Sequence, residues 1–269
     1  MIVIEKSSEI SLTDGYNEYE ISSDENEIDL TFLAQNESEV FIKIKKANTI
    51  RLNTITRKGA HATYLFWNEA SNPVTFEENH QVKEDASLNI AYSEIMQNEA
   101  VHKLAVDLEE ENAEVSLSSA TLTSVKKHFD IQVNSKAPHT YGQMRNFSVV
   151  LNGGDYYMNA VGSIEHGAFG SESHQTSRAL CFDPEMNAKI IPVLLIDEND
   201  VKASHATSVG RVDEDQLYYL QSRGLSVKEC TALISTGYLL PVTEVIHDEK
   251  LKETLKNSLE EKITQLCSM

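Results

Sequence analysis

Cysteine is nearly absent. The 269 residues hold three, Cys181, Cys230 and Cys267. They are odd in number and far apart, which excludes a disulfide framework and a closely spaced zinc motif and fits a reducing cytoplasm. Long apolar runs are also missing. None approaches the roughly 18 residues of a membrane span, and Met1-Ile-Val-Ile-Glu-Lys6 lacks the basic-then-apolar order of a secretion signal. Positive charge is scarce: 23 Lys and Arg face 42 Asp and Glu, a net charge of −19. Such a chain repels nucleic acid and anionic membranes, so neither is an expected partner. The densest basic run, Lys43, Lys45, Lys46 and Arg51, reads as a solvated strand face. A Gly-x-x-x-x-Gly-Lys phosphate loop is missing. Proline is rare before residue 200. Pro73, Pro138, Pro184 and Pro192 are each expected at a turn or strand end.

What is present is alternation. From about residue 28 to 200, apolar and polar residues alternate, as in Val40-Phe-Ile-Lys-Ile-Lys45, Val115-Ser-Leu-Ser-Ser-Ala-Thr-Leu122 and Phe129-Asp-Ile-Gln-Val133. That is the pattern of half-buried strands. Residues 1 to 30 read as an irregular edge of short strands and turns, with Asp14-Gly15 as one tight turn. A weak repeat runs through the region: Gly59-Ala60, Asp85-Ala86, Asn112-Ala113 and Asn187-Ala188 each pair a turn residue with a small one ahead of a strand. The first spacings, 26 and 27 residues, suit stacked rungs, and the last would span three further periods. We therefore expect a mainly β chain, a parallel β-solenoid; a β-sandwich with coincidental spacing is the competing fold. Gly153-Gly154-Asp155 reads as a tight turn, and His166 to His174 as a loop whose two histidines are a poor metal signature.

The period changes after residue 212. Asp213-Glu-Asp-Gln216 and Ser226-Val-Lys-Glu229 are predicted capping boxes, and Gly224 ends the first helix. The second helix places Cys230, Leu233 and Ile234 on one side. The third, from about residue 248, carries Leu251, Leu255, Leu259, Ile263 and Leu266 on one narrow stripe. The expected division is a β core over 1–212 and a helical subdomain over 213–269. Those helices could cap the open end of a solenoid or bind a partner protein.

Asp200-Val-Lys-Ala-Ser-His-Ala-Thr-Ser-Val-Gly210, followed by Asp213-Glu-Asp-Gln-Leu-Tyr-Tyr-Leu-Gln-Ser-Arg-Gly-Leu225, resembles the C-terminal signature of the SufB/SufD family of iron–sulfur cluster assembly proteins. Ala137-Pro-His-Thr140 and Thr176-Ser-Arg178 agree with that family's preceding rungs. The resemblance runs from about 130 to 240. It implies a right-handed parallel β-helix and a helical subdomain that docks a SufC-type ATPase. On that analogy the docking residues are Asp213, Gln216, Leu217, Tyr218, Leu220, Arg223 and Leu233. The β-helix would associate near His205 with a SufB-type partner or with a second copy of itself. The chain itself would be cytoplasmic and not an enzyme. The SufD form usually reads Lys-Cys-Ser-His-Gly-Ala-Thr; here Ala203 and Ala206 replace its Cys and Gly, and His205 remains. The cysteine of the SufB form falls at Ser177. The resemblance thus implies a SufD-like partner that holds no stable cluster alone and contributes His205 as an iron ligand to a transient cluster in the assembled complex. The family's helical N-terminal domain is expected to be missing or reduced.

Read without the family, His205 is a histidine hydrogen-bonded on the last rung, or an iron ligand and proton carrier. Cys181 and Cys230 read as packed core thiols, and His139 as a turn residue. Ser204 and His205 are neighbours on a strand and face opposite ways, so they cannot form a nucleophile–base pair. Two other functions stay open: a carbohydrate-binding or polysaccharide-lyase solenoid, and a purely structural homo-oligomer.

Overall fold

A computed structural model describes residues 1–182, 187–245, 247 and 249–267. Pro184 lies outside the described residues, as does position 248, where the third helix was expected to start. The strands are β1 (Ile2–Ile4), β2 (Ser8–Ser11), β3 (Gly15–Ser22), β4 (Glu27–Ala34), β5 (Glu37–Lys46) and β6 (Thr49–Thr56). They continue with β7 (His61–Asn68), β8 (Val74–Val82), β9 (Ser87–Glu94), β10 (Ala100–Leu108), β11 (Glu114–Thr123) and β12 (Lys126–Ser135). The last are β13 (Tyr141–Val150), β14 (Asp155–Ile164), β15 (Glu172–Cys181), β16 (Asn187–Ile196) and β17 (Lys202–Arg211). Odd strands form one parallel sheet and even strands another. Each strand pairs with the one two places away, so the chain winds as a solenoid with one strand of each sheet per turn.

The turns explain the repeat. Gly59, Asp85, Asn112 and His139 hold left-handed φ values of 69°, 55°, 59° and 58°. Each precedes a buried small residue, Ala60, Ala86, Ala113 or Thr140, and the next residue opens an odd strand. Gly170-Ser171 plays the same part before β15. Asn187-Ala188 does not: Asn187 opens β16 in the other sheet, opposite Asp155. The sequence signal misled there because the later corners use Thr140 and Ser171, and their spacing stretches beyond 27 residues. Gly153, at φ 79°, makes the expected tight turn. Pro192 is not at a strand end but in the middle of β16, an edge strand. Asn187 and Asp197 both donate their N–H to the β14 side. In a parallel ladder alternate residues bond the same neighbour, so the N–H that Pro192 lacks would have faced the free edge.

Alternate side chains fill the lumen. Leu30, Ile42, Ile90, Leu117 and Ile131 belong to one buried cluster, and Tyr64, Phe66 and Tyr92 stack along it at 6.2 and 5.1 Å. The basic run is indeed a solvated face: Lys45 pairs with Glu69, Lys46 with Asp24, and Arg51 with Glu27 and Glu77. Four C-terminal elements follow: α1 (Glu214–Ser222), α2 (Val227–Leu239), a 3-10 segment (Leu240–Val245) and α3 (Glu249–Cys267). They do not cap the solenoid. Leu239, Val242, Leu255, Leu259 and Ile263 pack on Leu65, Trp67, Ala91, Ile95 and Leu122, which point outward from the odd sheet. The helices therefore cover a flank, and those strands are buried on both faces.

One stretch of lumen is ionic. Glu94, 2% exposed, accepts from Lys127 Nζ at 2.7 Å and from Asn68 at 2.9 Å. His102 Nε2 lies 3.0 Å from Glu94 and its Nδ1 3.5 Å from Glu78. Glu78 also accepts from the Tyr92 hydroxyl at 2.6 Å and faces His80 Nε2 at 3.3 Å. Burial alone would raise both carboxyls. His102 and His80 outweigh it at Glu78, and Lys127 and His102 outweigh it at Glu94, so each titrates at about 2. Because both values are depressed, their stabilisation is complete above about 4.5 and is lost as pH falls towards 2; urea midpoints measured from pH 6 downward should decline over that window. Lys127→Ala should cost about 3–5 kcal/mol in urea unfolding, because it strands a buried carboxylate. Lys103→Ala, whose ion pair with Glu77 is exposed, should cost at most about 1 kcal/mol.

Candidate functional site

The candidate site is the mouth of the solenoid at β16 and β17. Each is the last strand of its sheet, and each is ten residues long. At the opposite end the last strands, β1 and β2, have only three and four residues. Every residue of β17 is exposed. Lys202 and Val212 donate their N–H groups to the β15 side. By alternation, the N–H groups of Ala203, His205, Thr207 and Val209 point to the free edge.

Register fixes the faces. His205 is opposite Gln175, Ala203 opposite Ser173 and Thr207 opposite Ser177, all three partners being buried lumen residues. His205 therefore falls on the lumen-facing side of the final rung, exposed because no further rung covers it. Among the described residues it has no hydrogen-bond partner, so the reading of a histidine hydrogen-bonded in place finds no support. Just beneath the mouth, Ser173 Oγ and Gln175 Oε1 are buried without partners among the described residues. Leu195, Ile196 and Val209 add exposed apolar surface at 53%, 40% and 47%. The β16 half of this mouth escaped sequence reasoning, although Ile190-Ile-Pro-Val-Leu-Leu-Ile196 carried a signal: an apolar strand interrupted by Pro is an edge strand.

Other candidates separate cleanly. Ser177 is buried and accepts from Asn146 at 3.2 Å. Cys181 is a buried lumen thiol that burial pushes up, and Cys230 is fully buried on the inner side of α2. His139 is a corner residue. His174 is not in the loop with His166: it lies on β15, with Nδ1 2.7 Å from Ser204 Oγ and Nε2 3.2 Å from Glu172. Among the described residues no three ligating side chains are arranged to hold a metal.

The helical candidates sit apart from the mouth. Asp213 caps α1 by accepting from Asp215 N at 2.8 Å, not through a capping box with Gln216. Ser226 and Glu229 do form the reciprocal box. No residue of α1 is buried. Leu217 and Leu220 are half-covered, while Gln216, Tyr218 and Arg223 are exposed, with the Arg223 guanidinium 5.1 Å from the Tyr219 ring centre. Leu233 is not buried with Cys230; it is 54% exposed and lines a groove of about 420 Å³ between α2 and α3. Nine residues without buried contacts make a marginal helix in isolation. Among the described residues no helix is long and apolar enough to cross a membrane.

The family described as "SUF system FeS cluster assembly, SufBD core domain" matches residues 1–238. The iron–sulfur cluster assembly protein SufD of Bacillus subtilis is 37% identical over 137 residues, 51% of this chain and 31% of that protein. SufD of Escherichia coli K12 is 25% identical over 154 residues, 56% of this chain and 36% of that protein. A SufBD family protein of Mycobacterium bovis is 30% identical over 142 residues, 52% of this chain and 17% of that protein. The chain thus spans about a third or less of the length of these relatives.

Because His205 is exposed and unbonded, His205→Ala should leave the unfolding free energy within about 0.5 kcal/mol of the parent. Parallel urea titrations would show it; a larger loss would mean that the histidine holds the last rung together.

Proposed function

The chain belongs to the SufBD core-domain family, and on that premise we propose that it is a non-enzymatic, SufD-like component of cytoplasmic iron–sulfur cluster assembly. In this reading it joins a SufB-type β-helix, or a second copy of itself, through the mouth. It docks a SufC-type ATPase through its helices. The observation that carries the reading is the pair of ten-residue strand edges left unpaired at one end. Soluble proteins shorten, charge or cover such edges because they template pairing with another chain. Here β1 and β2 are short, while β16 and β17 are long and carry exposed Leu195, Ile196 and Val209.

The chemistry supports a shared site. Iron–sulfur clusters are held chiefly by thiolates. Among the described residues, the lumen-facing side of the final rung offers one imidazole, His205, and Ala203 and Ser177 stand where the resemblance implies cysteines. Cys181 is buried and its thiol is held protonated by that burial. One imidazole can complete a ligand set but cannot make one, so the nascent cluster is cargo shared with a partner's thiolates.

The ATPase surface in this reading is α1 and the exposed side of α2. Tyr218 and Tyr219 are 74% and 56% exposed, and Leu233 lies on the α2–α3 groove. Exposed aromatics beside an Arg are the composition of an interface centre.

The purified chain should form a complex with a SufC-type ATPase at micromolar concentration in size-exclusion chromatography. Tyr218→Asp combined with Leu233→Asp should weaken it at least tenfold with an unchanged circular dichroism spectrum. A folded chain that forms no complex would overturn the docking claim. In the assembled complex, His205→Ala should lower the yield of cluster absorbance without dissociating the subunits, while the chain alone should build no stable chromophore. Unchanged yield would remove His205 from the ligand set.

A further inference from the structure

We propose that His102 is a fixed imidazolium that latches the middle rungs of the solenoid, and that losing its proton loosens the helices packed outside those rungs. This goes beyond the assembly role and does not depend on it. The argument starts from the ring's edges. His102 Nε2 is 3.0 Å from Glu94 Oε1, and Nδ1 is 3.5 Å from Glu78 Oε1. A neutral imidazole has one N–H and one lone pair. Between two carboxylates, a neutral ring would aim that lone pair at one of them. Only the doubly protonated ring presents a donor to both. The Glu78 contact is an ion-pair contact, not an aligned hydrogen bond, and neither Nδ1 nor Glu78 Oε1 has another partner.

The ring's faces agree with its edges. His102 is sandwiched between Phe76 on β8, at 4.2 Å, and Phe129 on β12, at 4.6 Å, each within 5° of parallel. Tyr92 on β9 meets it edge-on at 5.0 Å. Aromatic faces favour a cation between them. The charged and titratable neighbours are Glu78 and His80 from β8, Tyr92 and Glu94 from β9, and Lys127 from β12. His80 needs only one N–H, because the Thr54 hydroxyl can donate to its Nδ1 at 2.8 Å. The two carboxylates are thus balanced by Lys127 and His102 together. Without the His102 proton the sealed lumen keeps one uncompensated negative charge. Burial acts to lower the His102 pKa, but its contacts with Glu78 and Glu94 outweigh that and raise it above the ordinary histidine value.

The link to the helices is β9. Its Tyr92 and Glu94 face the cluster, while Ala91 on the same strand, and Ile95 just beyond it, lie in the outer core with Leu255 and Leu259 of α3. A charge left in the lumen strains β9 and so the platform beneath α3. Since the folded-state value is raised, the stabilisation is complete below about pH 6.5, the ordinary histidine value, and is lost as pH rises above that, through the higher folded-state value.

The single tryptophan, Trp67, is fully buried in the same outer core and reports on helix packing. We would record long-range ¹H–¹⁵N spectra of ¹⁵N-histidine-labelled full-length chain while raising the pH, alongside Trp67 fluorescence. One of the nine histidines, assigned to His102 through its contacts with the Phe76 and Phe129 rings, should keep both nitrogens protonated after ordinary histidines have become neutral. Its deprotonation should share a midpoint with a red shift of Trp67. In His102→Gln that pH-dependent shift should vanish; if the variant does not fold, the wild-type titration decides alone. A neutral, single-tautomer His102 at pH 7 would overturn the proposal, as would a Trp67 signal indifferent to its deprotonation.

Discussion

Two backbone ladders stop at the same end of this molecule without a partner among the described residues, and the proposed function depends on that. A β-solenoid satisfies its N–H and C=O groups by adding rungs, so its final rung always leaves a debt. At the β1–β2 end the debt is small, because those strands are short. At the β16–β17 end two full strands present free edges, and the lumen opens between them. His205 is exposed there because, among the described residues, no further rung covers β17. A second β-helix placed on this end would supply hydrogen bonds to the edges and apolar contacts to Leu195, Ile196 and Val209.

The helices solve a different problem. The outer face of the odd sheet carries Leu65, Trp67, Ala91, Ile95 and Leu122, which cannot be left in water. The stripe of α3 covers them, and Cys230 and Leu239 anchor α2. Once that face is closed, α1 has no fully buried residue, Leu217 and Leu220 being only half-covered. Packing divides the helices: α3 covers the solenoid, while α1 and the outer side of α2 stay exposed, the surface proposed for a partner. The ionic cluster in the lumen ties β8, β9, β10 and β12 together beneath this same region.

Much of this was legible in the sequence. Period-two alternation located the strands, and the turn-plus-alanine pairs at 59–60, 85–86 and 112–113 gave the rung length. The leucine stripe of α3 and the Ser226–Glu229 box were readable because their physics is local. What stayed hidden depends on neighbours distant in the chain. Leu233 was assigned to the packed side of α2, but the buried positions are Cys230, Thr231, Ser235 and Leu239. Asn187-Ala188 imitated a corner of the wrong sheet. The flank position of the helices could have been inferred from Tyr64-Leu-Phe-Trp67, where alternation gives way to a continuous apolar run, the mark of a strand buried on both faces. The lumen cluster had no local signature at all: Glu78, Glu94, His102 and Lys127 meet only when rungs stack.

The central claim is that β17 is a strand edge awaiting a partner, and amide hydrogen exchange resolved residue by residue tests it most directly. In the isolated chain the N–H groups of Ala203, His205, Thr207 and Val209 should exchange fast, while those of Ser204, Ala206 and Ser208, bonded towards β15, should be slower. On mixing with a SufB-type β-helix chain, the first set should become protected along the whole strand. Formation of a complex with that set still exchanging fast would contradict the account.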